Sequence, residues 1–125
     1  MNDMKEIIAE FVQEGNEKAD LVERLVIQLE KNPSSRESLT EIFRAMHSIK
    51  GATGFLGFTK LSALTHTGEA LLTRLRDGVA SATPETTSAL LSLVDAMREV
   101  LSEIASTGQE GTVSYTSLVG TLARL

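Results

Sequence analysis

Apolar residues recur three or four positions apart along almost the entire chain of 125 residues. This spacing is typical of amphipathic helices, and no stretch shows the strict alternation of apolar and polar residues that indicates a half-buried strand. Leucine is abundant, aromatic residues make up 4% of the chain and there are only two prolines, as in many helical bundles. The pattern therefore predicts an all-α fold, an antiparallel four-helix bundle of up-down topology with a short additional C-terminal helix.

Turn signals divide the apolar pattern into its helices. The first apolar stripe is interrupted at Gly15 and Asn16, and it is expected to end before Pro33, because a residue that precedes proline avoids the α conformation. Ser34 and Glu37 match a capping box at the start of the second helix. The predicted inner face of that helix consists of Leu39, Ile42, Phe43, Met46, Ile49 and Thr53.

The remaining boundaries are predicted from glycine, proline and polar residues. Gly57 is expected to end the second helix in a left-handed conformation. The third helix carries an inner stripe of Leu61, Leu64, Gly68, Leu71, Leu72 and Leu75. It is expected to end at Asp77 and Gly78, and Thr83 before Pro84 predicts the start of the fourth helix. The polar stretch STGQEGTVS then separates the fourth helix from a short helix that begins near Tyr115. No internal boundary or repeat is visible, so residues 1–125 are predicted to form a single domain.

Composition excludes several functional classes. The chain has no cysteine, which excludes disulfides, thiolate metal sites and cysteine nucleophiles. Its net charge of −5 and the lack of a basic patch argue against nucleic acid and anionic membranes as partners. The apolar runs are short, and the N-terminus MNDMKEIIAEF lacks the pattern of a signal peptide. We therefore expect a soluble, cytoplasmic protein without membrane insertion.

The stretch FRAMHSIKGATGFLGF places His47, one of two histidines, beside a lysine and three glycines in what otherwise reads as a helix. Lys50, Gly51 and Gly54 follow His47 by three, four and seven residues, so they share its side of the helix. Each glycine costs a helix about 1 kcal/mol relative to alanine. A bare backbone beside the ring would let another macromolecule approach closely, so we interpret the glycines as a docking surface.

The third predicted helix carries polar residues that complement this histidine. His66 and Glu69 lie off its leucine stripe. If the second and third helices are antiparallel neighbours joined at Gly57, Glu69 can lie beside His47, and His66 could share the network. A carboxylate that accepts the N–H of one ring nitrogen fixes the tautomer and leaves the other nitrogen's lone pair free. This arrangement predicts a nucleophilic imidazole.

Two other kinds of site are not expected. Carboxylate-histidine metal centres in helical bundles need a Glu-x-x-His motif on each of two helices, whereas this chain has one His-x-x-Glu in the reverse order, off the core face. No strand precedes Gly51 and Gly54 and no Gly-Lys-Ser/Thr follows them, so they do not form a nucleotide-binding loop.

The segment FRAMHSIKGATGFLGFTKLSALTHTGEALLTRLRDG closely resembles the N-terminal histidine phosphotransfer (Hpt) domain of CheA-type chemotaxis histidine kinases. The resemblance implies that His47, in HSIKG, is the phosphorylated histidine, with Lys50 and Gly51 at matching positions. It also implies that His66 and Glu69 form the TH..E pair of the CheA subclass. Sequences of this type commonly read KGGAG where this chain reads KGATG, which differs at residues 52 and 53; Ala52 is small, so we expect little effect. The segment FLG in residues 55–57 is instead similar to phosphorelay domains.

The resemblance further implies a function. His47 would accept the γ-phosphoryl group of ATP bound in a separate kinase domain and pass it to an aspartate of a CheY- or CheB-like response regulator. Glu69 would polarise the imidazole, Lys50 would offset the phosphoryl charge, and Gly51 and Gly54 would admit the partners. The chain itself would bind no cofactor. It would be a monomeric phosphoryl carrier and an N-terminal fragment of a longer kinase rather than a catalyst by itself.

Two alternatives remain open at this point. One is a stand-alone phosphorelay protein that exchanges phosphate between two receiver domains, although the pair of His66 and Glu69 argues against it. The other is a helical docking module that binds receiver domains without exchanging phosphate. Detection of phosphohistidine after incubation with a kinase domain and ATP would exclude the docking module, because only the kinase domain fragment and the phosphorelay protein carry a phosphoryl group.

Overall fold

The computed structural model describes residues 3–125, and these residues form five α-helices and no strand. The helices are α1 (Asp3–Lys31), α2 (Arg36–Leu56), α3 (Thr59–Arg76), α4 (Pro84–Thr107) and α5 (Thr116–Arg124). The prediction of an all-α fold is confirmed. Within the described residues, no helix combines the length and the apolar character that are needed to cross a membrane.

The first helix is continuous, so the predicted interruption at Gly15 and Asn16 is wrong. Gly15 is buried on the inner face of α1, where a Cβ atom would lie only 2.9 Å from Cδ2 of Leu101 on α4. Its missing side chain therefore makes room for a leucine of the neighbouring helix. This glycine serves close helix packing rather than a turn.

The second helix begins one residue later than predicted. The backbone N–H of Ser35 bonds to the carbonyl of Asn32 and closes a turn that contains Ser34. Ser35 therefore becomes the N-cap, and its Oγ accepts a hydrogen bond of 3.2 Å from the backbone N–H of Ser38. The capping box predicted from Ser34 and Glu37 is wrong in its register, because two adjacent serines offer the same cap chemistry. The predicted end of α2 is confirmed, since Gly57 has a φ of 79°.

The third helix receives its N-terminal cap from a distant loop. Phe58, which precedes the helix, has no side chain that can accept a hydrogen bond. Glu110 supplies the acceptors instead: its two carboxylate oxygens accept from the backbone N–H groups of Lys60, at 3.1 Å, and Leu61, at 2.6 Å. The Lys60 ammonium in turn donates to the carbonyls of Gly111 and Val113. The loop between α4 and α5 is thereby fastened to the start of α3.

The later boundaries agree with the sequence. Gly78, just after α3, has a φ of 77°. Thr83 caps α4 through the backbone N–H of Thr86, and Pro84 is its first residue, as predicted. Helix α1 packs against α2 and α4, α3 packs against α2 and α4, and α5 packs against α3 and α4.

The core lies between these helices and contains the predicted leucines. All five leucines predicted for α3 are buried, as are Leu39, Ile42, Met46, Ile49 and Thr53 of α2, whereas Phe43 is half-buried. Gly68 also lies on the inner face of α3, where a Cβ atom would come within 2.5 Å of Cδ2 of Leu93. The buried stripes leave one outer surface of α2 and α3 for the polar residues described next.

Candidate functional site

His47 lies on the outer surface of α2 and faces α3. Its side chain is 67% exposed, and its Nδ1 atom is 3.2 Å from Oε2 of Glu69. The two residues belong to consecutive helices that are joined by a short turn at Gly57, so the turn brings them together. The predicted pairing of these two side chains is thus present in the structure.

Glu69 connects the histidine to a lysine. Its second oxygen, Oε1, accepts a hydrogen bond of 3.2 Å from Nζ of Lys50. The Glu69 side chain is only 16% exposed, and the Lys50 side chain is 29% exposed. Both carboxylate oxygens of Glu69 are therefore hydrogen-bonded, Oε2 to His47 and Oε1 to Lys50.

The charge state of Glu69 follows from this environment. Partial burial alone would raise the pKa of Glu69, but the hydrogen bonds and charges of Lys50 and His47 outweigh that effect and hold its pKa below the ordinary value. Glu69 is therefore a carboxylate at neutral pH. A carboxylate can only accept, so the Nδ1 atom of His47 carries the proton that it donates to Glu69. The lone pair of a neutral imidazole then lies on Nε2, which faces away from that contact.

An aromatic stack borders the histidine on the other side. The half-buried ring of Phe43, one turn earlier on α2, lies nearly parallel to the imidazole, with an interplanar angle of 9° and 6.1 Å between the ring centroids. The guanidinium carbon of Arg76, at the end of α3, lies 5.1 Å from the centroid of Phe43. The sequence pattern placed Phe43 in the core and gave no signal for its contact with Arg76.

The two predicted docking glycines are exposed on α2. Apart from its chain neighbours and the nearby backbone of α2, a Cβ atom added at Gly51 or Gly54 would meet no described atom within 4 Å. Together with Lys50 and His66 they line an open depression of about 650 Å³ between α2 and α3. Phe55, beside Gly54, is 82% exposed. The surface next to His47 is thus open and lacks protruding side chains at the two glycines, as the sequence predicted.

His66 lies one turn before Glu69 on α3 and is exposed. Within the part of the chain that the structure describes, its side chain makes no hydrogen bond to His47, Lys50 or Glu69, which pair among themselves. It lines the same depression as the glycines. Its participation in the chemistry of His47 stays a prediction. In residues 3–125, no group of three histidine, aspartate or glutamate side chains converges as a metal ion would require.

Comparison with known proteins agrees with this geometry. A family model described as the Hpt domain matches residues 6–102. The chain is 36% identical over 110 residues to the sensor histidine kinase CheAY of Helicobacter pylori, an alignment that covers 88% of this chain and 14% of that protein. The chain thus spans about one seventh of the length of this curated relative.

Solved structures share the fold over nearly the whole chain. The phosphorylated P1 domain of CheA3 in complex with CheY6 from R. sphaeroides has a TM-score of 0.87 and 25% identity, covering 95% of this chain and 94% of that one. The solution structure of the histidine phosphotransfer domain of CheA also has a TM-score of 0.87, at 29% identity and with 95% and 90% coverage. The resemblance to the CheA type inferred from the residues around His47 is confirmed, and the family match, which runs from the start of α1 into α4, shows that the chain belongs to the Hpt domain family.

Proposed function

We propose that this chain is the phosphoryl-carrying domain of a CheA-like chemotaxis histidine kinase. In this proposal His47 accepts a phosphoryl group from ATP bound in a separate kinase domain and passes it to an aspartate of a CheY- or CheB-like response regulator. The observation that carries the proposal is an exposed imidazole whose Nδ1 is held by a carboxylate while Nε2 remains open. The structural relatives support it, since one of them is phosphorylated and in complex with CheY6.

The chemistry needs two displacement steps at phosphorus. In the first, the Nε2 lone pair of His47 attacks the γ-phosphorus of ATP, the N–P bond forms, and the bond to the bridging oxygen breaks as ADP leaves. The positive charge that develops on the imidazole is stabilised by the Glu69 carboxylate, which accepts the Nδ1–H. In the second, a carboxylate oxygen of the regulator attacks the phosphorus, the N–P bond breaks and its electron pair returns to Nε2.

Lys50 has a double role in this proposal. Its ammonium holds Glu69 in place through Oε1, at 3.2 Å, and so fixes the other oxygen toward the imidazole. It also brings a positive charge to the side of α2 on which the phosphoryl group is transferred, where that charge offsets the developing negative charge on the phosphoryl oxygens. His66, which lines the adjacent depression, is proposed to belong to the same surface.

Gly51 and Gly54 admit the partner proteins in this scheme. An aspartate of a receiver domain, or the ATP site of a kinase domain, must come within bonding distance of Nε2. Side chains on the next turn of α2 would hold the partner's backbone away, whereas the glycines leave that turn bare. We infer that the kinase domain and the response regulator use this same low surface in turn.

We also infer an up-down antiparallel arrangement of α1–α4, with α5 as an additional helix. It is supported by the short connections between consecutive helices and by the packing of α1 and α3 each against both α2 and α4. Short connections favour antiparallel neighbours in helical bundles.

The chain is proposed to be one domain, residues 1–125, from the N-terminal part of a longer kinase, and to be monomeric by itself. The relative from Helicobacter pylori is about six times as long as this chain, which leaves room for separate ATP-binding and regulatory domains. We place the protein in the cytoplasm, where ATP is available to the kinase domain. The Hpt domain itself is proposed to bind no cofactor and to act as a carrier rather than as a catalyst.

The test is phosphorylation of the chain by the kinase core of a CheA-type protein with ATP, read by mass spectrometry under conditions that preserve phosphohistidine. We expect one acid-labile phosphoryl group on His47, which is absent from His47→Gln and still maps to His47 in His66→Gln. Circular dichroism should show the same helix content in both variants. Modification that maps to His66 would overturn the site. Binding of a receiver domain without any phosphorylation would instead support a docking module.

A further inference from the structure

Three side chains form a continuous stack that ends at His47. The guanidinium of Arg76 lies over the ring of Phe43, and that ring lies nearly parallel to the imidazole. Arg76 belongs to α3, whereas Phe43 and His47 are one turn apart on α2. The stack therefore joins the end of α3 to the histidine through an aromatic ring.

The stack addresses a freedom that the hydrogen bond to Glu69 leaves open. A single contact at Nδ1 fixes the tautomer of His47, but it allows the exposed ring to rock about the line that joins Nδ1 and Oε2. In-line attack at phosphorus needs the Nε2 lone pair in one direction, and misorientation of a nucleophile lowers the rate steeply. A parallel neighbouring ring restricts the imidazole plane, since stacked aromatic pairs prefer defined offsets.

Arg76 is placed to hold that neighbouring ring. Arginine over an aromatic face is attracted by the ring quadrupole. Its only ion-pair contact among the described residues is with Asp77, at 3.5 Å between Nε and Oδ1, and the two side chains are 41% and 55% exposed. An ion pair of that kind contributes little energy, so it does not hold the guanidinium away from the Phe43 ring. Arg76 follows Glu69 by two helical turns, so the same face of α3 contacts the imidazole edge directly and the imidazole plane through Phe43.

We propose that Arg76 is a positioning residue for phosphoryl transfer, acting through Phe43 to hold the plane of the His47 imidazole. This inference rests on the proposed function of His47 as the phosphoryl carrier. It assigns to Arg76 an effect on the rate constant of phosphorylation rather than on the affinity for the kinase domain. It also requires that Arg76 has no effect when Phe43 is absent.

The kinetic test is a double-mutant cycle in the full chain, phosphorylated by a CheA-type kinase core with ATP. We expect Arg76→Gln and Phe43→Leu each to lower kcat about threefold to tenfold, with little change in the KM for the Hpt chain. The double variant should be no slower than Phe43→Leu alone, because Arg76 acts through that ring. Arg76→Lys, which keeps a cation that can lie over the ring, should recover most of the rate.

The matched control is Arg44→Gln. Arg44 is adjacent to Phe43 in sequence, but it lines a different depression with Lys18 and Glu41, so this variant removes the same charge from another surface. We expect it to retain the wild-type rate. Rates that fall by independent, multiplying factors in the cycle would overturn the proposal, as would a wild-type rate in Arg76→Gln.

A measurement on the unphosphorylated protein separates this proposal from the proposed function. Nuclear Overhauser contacts between the Phe43 and His47 ring protons should weaken in Arg76→Gln and persist in Arg44→Gln. Unchanged contacts in Arg76→Gln would overturn the positioning role even if His47 is phosphorylated. Weakened contacts in a chain that no kinase core phosphorylates would support the stack and refute the carrier function.

Discussion

A substitution at Gly51 tests the proposed docking role of the α2 surface separately from the stability of the helix. Apart from its chain neighbours and the nearby backbone of α2, a Cβ atom at this position would meet no described atom within 4 Å, and the residue is exposed inside a regular helix. Replacing glycine with glutamine, a good helix former, should therefore stabilise the helix by about 1 kcal/mol. For a domain of 125 residues this corresponds to a rise in Tm of about 4 °C.

The same substitution should impair phosphoryl transfer. The glutamine side chain would stand on the turn that follows His47, in the space that we propose for the backbone of the kinase or receiver domain. We expect Gly51→Gln to be phosphorylated, and to pass the phosphoryl group to a receiver domain, at least about tenfold more slowly than the wild type. This factor corresponds to about 1.4 kcal/mol of lost interaction with the partner. Thermal unfolding by circular dichroism and initial rates with a kinase core and a receiver domain measure the two effects on one protein sample.

Gly120 in α5 provides the matched control. A Cβ atom there would contact only the flexible end of Arg124, at 3.4 Å, and α5 packs against α3 and α4 rather than against α2. Gly120→Gln should therefore transfer phosphate at the wild-type rate. The reasoning is refuted if Gly51→Gln is more stable than the wild type and still transfers at the wild-type rate, since Gly51 would then lie outside the docking surface.

Three further predictions follow from the site and the core. Glu69→Gln should slow phosphorylation about 10- to 100-fold, for a loss of about 1.4 to 2.7 kcal/mol at the barrier, without loss of helix content; an unchanged initial rate would contradict the role of Glu69. Burial alone would raise the pKa of Glu69, but Lys50 and His47 outweigh burial and hold the pKa below the ordinary value of a glutamate. The contribution of Glu69 to stability is therefore present above that ordinary value and is lost as the pH falls through the lowered pKa. Urea titrations down to about pH 3 should therefore show the stability difference between wild type and Glu69→Gln shrinking in acid, and a difference that does not vary with pH would refute the pairing. Gly68→Ala should lower the Tm, because a Cβ 2.5 Å from Leu93 overpacks the core by about 1 to 3 kcal/mol, more than the helix gains; an equal or higher Tm would show that Leu93 yields easily.

The contact between His47 and Glu69 was predictable because it depends on local chain geometry. Once α2 and α3 are recognised as helices joined at Gly57, the off-stripe residues of the two helices must share one surface. The helix ends at Gly57, Gly78 and Pro84 were predictable for the same reason, since each boundary depends on the chemistry of a few adjacent residues.

The features that the sequence did not predict depend on distant partners or on near-equal local choices. Gly15 reads as a break in an isolated helix, and only its contact with Leu101 on α4 shows that it serves packing. Ser34 and Ser35 offer the same capping oxygen, so the turn closed by Asn32 decides between them. The contact of Arg76 with Phe43 depends on how α2 and α3 pack side by side, which periodicity does not specify.

The Glu110 carboxylate that caps α3 limits how far this domain can be truncated. The family match ends at residue 102, whereas Glu110 lies beyond it and satisfies two backbone N–H groups in the first turn of α3. A fragment trimmed to the matched region would leave those groups without their acceptors, at the N-terminal end of the helix that carries Glu69. The stretch of sequence that identifies the family is thus shorter than the stretch that completes the fold.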